Sequence, residues 1–191
     1  MSEKETDRRT LKTRKAIRDA LSQLLTKKEL HKVTVQEITE IADINRGTFY
    51  KHYLDIYDLY DKTENDILVD LGLMVLELQN LSSDEFFSHL IDYIDDNRTL
   101  FTMVFCPNTT GKLLQKFSKC LDGLFKQVEA EKHHADIMDI ALSYRSFYRS
   151  QGCLAIIGKW VNGGFEESKK FIVDTITELD KNTEKVVVSK K

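Results

Sequence analysis

Apolar residues at Ile17, Ala20, Leu21, Leu24 and Leu25 recur at i, i+3, i+4, i+7 and i+8, the spacing of a helix with one buried stripe. A polar connection over residues 27–32 follows. Thr34 with Glu37 three positions on predicts a capping box, and Val35, Ile38, Ile41 and Ala42 give the short helix behind it an inner face. Asp43 and Ile44 predict a tight turn, Asn45 a second cap, and residues 46–52 a second short helix. From Asp55 the pattern lengthens: Tyr60, Ile67, Leu71, Met74 and Leu78 share one side of a helix that Ser82, Ser83 and Asp84 bring to an end. Phe86, Phe87, Leu90, Ile91 and Ile94 mark the next helix, and Cys106, Pro107, Asn108 and Gly111 the strongest loop signal after it.

Leu113, Phe117, Leu121, Leu124 and Val128 then return to helical spacing, with a charged stretch over residues 129–134 as a separator. A long helix is predicted over residues 137–161, stopped by Asn162, Gly163 and Gly164, and a last one carries Phe171, Ile172, Thr175, Ile176 and Leu179. Residues after Lys181 read as a polar tail, with a weak strand signal at Val186, Val187 and Val188. The fold class expected is therefore all-α. One proline and eight glycines in 191 residues agree with long, uninterrupted helices.

Charge divides this chain in a way its net value of −3 conceals. Residues 1–54 hold twelve Lys and Arg against eight Asp and Glu, a surplus of four positive charges, so the remainder carries seven surplus negative ones. A basic head on an acidic body suits either a protein that meets nucleic acid at one end or a solvated helix face that is merely basic, and charge alone does not choose between them. No apolar run reaches the roughly 18 residues that cross a bilayer, and the polar start over residues 1–9 is unlike a secretory leader, so a cytoplasmic location is expected.

Two short helices around a tight turn, the second with a polar outer face, form a helix-turn-helix pattern. Arg46, Thr48, Tyr50, Lys51 and His52 supply donors and an aromatic edge on one helix small enough for a major groove about 12 Å wide. At this point the sequence resembles a known family. Residues 33–53, Val-Thr-Val-Gln-Glu-Ile-Thr-Glu-Ile-Ala-Asp-Ile-Asn-Arg-Gly-Thr-Phe-Tyr-Lys-His-Tyr, look like the DNA-binding region of the TetR (tetracycline-repressor) family, most specifically in the ending from Gly47 to Tyr53. Three positions depart from the usual pattern: Thr39 where the family often has Ala, Asp43 where the turn glycine is typical, and Ile56 near where a lysine commonly begins the fourth helix.

The resemblance implies a bacterial transcriptional regulator with a three-helix DNA-binding domain over residues 1–54 and a helical regulatory and dimerisation domain over residues 55–191. It implies that Thr34, Tyr50, Lys51 and Tyr53 contact or frame phosphates, while Asn45, Arg46, Thr48, Phe49 and His52 lie at or near bases, with Gly47 between them. Phe49 and Tyr53 have a competing role as packing residues. Arg8, Arg9, Lys12 and Arg14 are placed equally well on DNA or in solvent.

In the body, the resemblance implies a homodimer formed by the last two helices, for which Ile156, Ile157, Trp160, Phe171, Ile172 and Ile176 are the candidates, with internal core as the competing role for each of them. It further implies a small-molecule effector in a pocket, with Phe87, Phe101, Phe117, Cys120, Tyr144, Phe147 and Tyr148 as lining candidates, each of which also reads as plain core. Effector binding would then release the repressor from a palindromic double-stranded operator. The alternative is a TetR-like coactivator, or a protein-binding regulator that does not read DNA itself.

Enzyme chemistry has no visible site in the sequence, which lacks a glycine-rich phosphate loop, a zinc-protease motif and a nucleophile elbow. No cofactor is expected. His133 and His134 would point about 100° apart on a helix, a poor arrangement for one ion, and Cys106, Cys120 and Cys153 are too widely spaced for a paired metal or redox motif. No metal site and no disulfide are expected; the alternative is a metal or thiol sensor in which scattered cysteines converge in the fold.

Overall fold

A computed structural model of the chain describes residues 3–78, 82–109, 111–134 and 136–184. Within them the protein is all helical: α1 (Glu3–Leu25), a single 3-10 turn (Leu30–Lys32), α2 (Val35–Ile41), α3 (Arg46–Tyr50), α4 (Ile56–Leu78), α5 (Ser83–Asp96), α6 (Arg98–Val104), α7 (Lys112–His133), α8 (Ile140–Asn162) and α9 (Lys169–Glu184). None of the described helices is long and apolar enough to cross a membrane. The strand signal at Val186, Val187 and Val188 lies outside the described residues.

The chain forms two compact units, residues 1–67 with 99–112 and residues 68–98 with 113–191. In the first, the stripe Ile17, Ala20, Leu21, Leu24 and Leu25 of α1 is buried together with Ile38, Phe49, Tyr53 and Leu59. Each large side chain there contributes about 1.5–3 kcal/mol by leaving water, which holds three short elements that could not stand alone. Residues 99–112 join this unit at the carboxyl end of α1. Cys106 Sγ and Asn108 Nδ2 both reach the Leu25 carbonyl at 3.2 Å, and Ser22 Oγ points to Met103 Sδ at 3.7 Å.

In the second unit, Phe86, Phe87, Leu90, Ile91 and Ile94 of α5 form a buried stripe, with the Phe86, Phe87 and Phe125 rings in mutual edge or tilted contact. Lys169 Nζ meets Asp92 Oδ1 at 2.6 Å and Lys181 Nζ meets Asp84 Oδ2 at 2.7 Å, so α9 is tied to α5 near both of its ends. Helix α8 ends in a Schellman motif: Phe165 N donates to Trp160 O and Gly164 N to Val161 O, both at 3.0 Å, with Gly164 at φ 75°.

Four boundaries differ from the periodic reading. Ser82 is not a terminator but the N-cap of α5, in a full capping box with Glu85. Asn97, the C-cap of α5, separates it from a distinct helix α6 that the pattern alone did not divide off. The charged residues after Val128 continue α7 to His133, because Glu, Lys and Ala are good helix formers and a polar face needs no break. Helix α8 starts at Ile140, where Asp139 accepts from Ala141 N and Leu142 N.

Candidate nucleic-acid interface

The helix-turn-helix is assembled from local bonds. Glu37 N donates to Thr34 Oγ1 at 3.3 Å, and Thr34 N returns a bond to Glu37 Oε2 at 3.0 Å, closing the capping box on α2. The Lys28 ammonium also bonds Glu37, and these partners hold its carboxyl well down, to about 2. At the other end of α2, Ile44 N donates to Thr39 O at 3.0 Å and Asp43 N to Glu40 O at 3.4 Å. This is again a Schellman closure, and it forces Asp43 to φ 50°. Asn45 then caps α3, accepting from Thr48 N at 2.7 Å and from Thr48 Oγ1 at 3.0 Å.

The expected interface residues separate into two groups. Thr34, Asn45, Arg46, Gly47, Tyr50 and Lys51 are exposed, and Thr48 and His52 are half-buried. Phe49 corrects the expectation that it lies at the bases: it is 0% exposed and stacks edge-on to Tyr50 and at a tilt to Tyr53, so it locks α3 to the core. Tyr53 is likewise buried, and burial pushes its phenol up; Lys62 Nζ stands 5.5 Å from its ring centre. Ile56 is buried at the start of α4, and Lys62, farther along the same helix, bonds Asp58 at 2.9 Å and the His52 carbonyl at 3.4 Å.

A groove of about 860 Å3 runs between α1 and the helix-turn-helix, lined by Arg9, Thr10 and Thr13, by Thr39, Glu40, Asp43 and Ile44, and by Asn45, Thr48, Lys51 and His52. Burial, with the Arg14 and Lys51 charges beside it, holds the His52 imidazole below its ordinary value, so it is neutral near pH 7.

Sequence reasoning missed two members of this surface. Gln36 Oε1 accepts from Arg46 Nη2 at 3.0 Å, and Gln36 Nε2 donates to Glu40 Oε1 at 2.9 Å. The second bond was legible as an i, i+4 pair on α2, whereas the first joins two helices ten residues apart.

In the second unit the burial of several pocket and dimer candidates departs from the expectation. Tyr144, Phe147 and Tyr148, expected to line a pocket, are 75%, 55% and 68% exposed along the outer side of α8. Ile157, Trp160, Ile172 and Ile176, expected at a dimer surface, are buried within the chain, where Trp160 Nε1 donates to the Glu167 carbonyl at 2.9 Å. Phe171 is exposed and Ile156 half-buried. Of the other pocket candidates, Phe87 and Phe117 are buried in this unit, Cys120 is half-buried, and Phe101 is buried in the first unit.

Among the described residues no group of His, Cys, Asp and Glu is arranged to hold a metal ion. Cys106, Cys120 and Cys153 are free, and burial together with the Asp180 carboxylate pushes the Cys153 thiol up, keeping it protonated and unreactive.

Comparison with known proteins bears on this geometry. Residues 82–182, just over half the chain, match a family profile of the TetR type described as a transcriptional regulator C-terminal region. An uncharacterised HTH-type transcriptional regulator, YxbF of Bacillus subtilis strain 168, is 38% identical over 179 residues, covering 85% of this chain and 43% of that protein. The chain thus spans less than half the length of this relative. Among solved structures, the dihydroxyacetone kinase operon activator DhaS superposes with a TM-score of 0.60 at 21% identity, covering 93% of this chain and 98% of its own. The fatty acid degradation regulator FadR from Bacillus halodurans gives 0.65 at 15% identity, with 87% and 93% covered. At these identities the two structures speak for the fold alone.

Proposed function

This chain belongs to the TetR family of transcriptional regulators, and from that premise we propose that it is a homodimeric repressor that reads duplex DNA through α3 and leaves it when a small molecule binds the body. The observation that carries the reading is the outer face of the helix-turn-helix. Arg46, Tyr50 and Lys51 project from a helix whose position is fixed by the buried Phe49 and the Asn45 cap. Such a helix fits a major groove, with Lys51 and Tyr50 on phosphates and Arg46 and Thr48 toward base edges. Residues 1–54 act as the reading head and residues 55–191 as the regulatory body. The acidic body keeps clear of the duplex by repulsion, so the negative net charge does not oppose binding.

One short reading helix supplies little affinity, so two copies engage two half-sites about one helical turn apart or a multiple of it, on a palindromic operator. The surface that suits self-association lies along α8 and α9: Ile140, Tyr144 and Tyr148 recur at i, i+4 and i+8, and Phe171 and Leu179 are exposed on α9. Effector binding draws on the apolar interior of the body around Phe87 and Phe117. The effector shifts the equilibrium by its preference for the form that does not hold DNA, a coupling of about 1–3 kcal/mol for a typical regulator.

An electrophoretic shift with the DNA upstream of the protein's own coding region, repeated at several salt concentrations, tests the proposal. A specific, salt-sensitive complex that Arg46→Ala with Tyr50→Ala abolishes is the expected result. Absence of such a complex, or its persistence in the double variant, overturns DNA reading and leaves the protein-binding alternative.

A further inference from the structure

On the outer face of the helix-turn-helix, Glu40, Gln36 and Arg46 are connected in series. All three are exposed, and the bonds run one way: Arg46 Nη2 donates to Gln36 Oε1 at 3.0 Å and Gln36 Nε2 donates to Glu40 Oε1 at 2.9 Å. A guanidinium only donates and a carboxylate only accepts, so a glutamine amide between them satisfies both in a single orientation. Glu40 therefore fixes which way the Gln36 amide faces, and Gln36 fixes where the Arg46 fork points. Both Gln36 and Glu40 sit on α2, which the Thr34 capping box and the Schellman closure hold at its two ends, so the series is anchored on a defined element.

Arg46 is the first residue of α3, the end of a reading helix from which side chains reach base edges. One of its five N–H donors is engaged by Gln36. Four remain, enough for the two parallel bonds that arginine makes to O6 and N7 of guanine. An arginine already held in direction loses less side-chain freedom on binding and cannot as readily swing to an incorrect base.

Resting on the DNA-reading proposal above, we propose that Arg46 reads a guanine in each half-site and that Gln36, aligned by Glu40, is the positioning residue that sets the specificity of that contact. Gln36 thereby governs recognition at a base pair it does not itself touch.

The experiment uses the full chain and a randomised duplex pool. Duplexes selected by the protein are resynthesised with each base pair replaced in turn, and Kd is measured for each at several salt concentrations. For the protein as it stands, replacing one G·C pair per half-site weakens binding about tenfold or more, and Arg46→Ala brings that ratio close to one. Gln36→Ala lowers the ratio several-fold at the same pair, while discrimination elsewhere and the slope of log Kd against log salt stay unchanged, because no phosphate contact is lost. The exchange Gln36→Glu with Glu40→Gln reverses donor and acceptor between positions 36 and 40, keeps an acceptor for Arg46 and the same net charge, and restores the ratio.

Thermal melts matching those of the unaltered protein show that each variant is folded. The proposal is overturned if Gln36→Ala leaves the ratio intact, or if its effect falls on a different base pair, which would make Gln36 a direct reader. Failure of the exchange to restore the ratio also overturns it. If the unaltered chain selects no duplex at all, DNA reading itself falls, an outcome distinct from selection that proceeds without help from Gln36.

Discussion

Arg149 and Asp180 meet in a buried fork that joins α8 to α9: Nε to Oδ1 at 2.7 Å and Nη2 to Oδ2 at 2.8 Å, with both side chains at most 3% exposed. Glu129 Oε2 accepts from the same guanidinium at 3.3 Å, and the Phe125 ring centre lies 4.6 Å from its carbon. Such a pair costs a great deal to desolvate, so its contribution to net stability is small while both partners are present. Removing Asp180 takes away the partner that accepts two of the guanidinium's bonds and leaves the buried charge only partly compensated by Glu129, the more expensive state.

It follows that Asp180→Ala should lower the stability of the chain by about 3–5 kcal/mol. Replacing Arg149 and Asp180 together by apolar residues of similar volume should cost much less than the sum of the two single changes. Chemical denaturation of the three variants measures this directly. Additive losses would mean that the pair is not a coupled unit.

A second expectation concerns acid. The Glu37 carboxyl is held at about 2 by Lys28 and Thr34, against about 4.5 when the chain is unfolded. Its folded value is the lower one, so its contribution is fully present above about pH 4.5 and is lost as pH falls toward 2. Unfolding midpoints measured between pH 6 and 2.5 should therefore fall less steeply in Glu37→Gln than in the unaltered chain. Thr34→Ala, which removes the cap itself, should cost about 1 kcal/mol at neutral pH.

Asp43 gives a third. It occupies the left-handed position after α2, at φ 50°, where a side chain carries a penalty that glycine does not. Asp43→Gly should stabilise the chain by up to about 1 kcal/mol, read as a rise of a few degrees in Tm. Asp43→Val, branched at Cβ, should destabilise by more than that. If glycine brought no gain, the turn would be held by contacts of the Asp43 side chain rather than tolerated in spite of it.

The head was largely legible in the sequence, since its determinants are local. Thr34 with Glu37 and Asn45 with Thr48 are caps written within four residues, and the stripe from Ile17 to Leu25 has the period of the helix it makes. The body was legible as helices but not as surfaces. Periodicity marks an apolar face without saying whether the same chain or another covers it, which is why Tyr148 was expected in a pocket and Trp160 at an interface. In the chain Tyr148 is 68% exposed and lines no interior, while Trp160 is 1% exposed and belongs to the core, the competing role for that residue. Tertiary pairings such as Gln36 with Arg46 and Cys106 with Leu25 leave no periodic trace.

The exposed stripe of α8 supports a last prediction. Tyr144 and Tyr148 are 75% and 68% exposed, one turn apart on the same side, and Phe171 and Leu179 of α9 are more than half exposed. A large apolar or aromatic side chain left in water forgoes about 1.5–3 kcal/mol of burial, so four such residues in one unit favour a covering partner. Under the proposed homodimer, Tyr148→Glu places a charge where two copies meet and should turn the protein into a monomer of unchanged helical content. Trp160→Ala, by contrast, should unfold the chain in part, since Trp160 is core. Sedimentation and circular dichroism on the two variants separate these outcomes. A Tyr148→Glu protein that sediments as the unaltered chain does would remove this face from the dimer proposal.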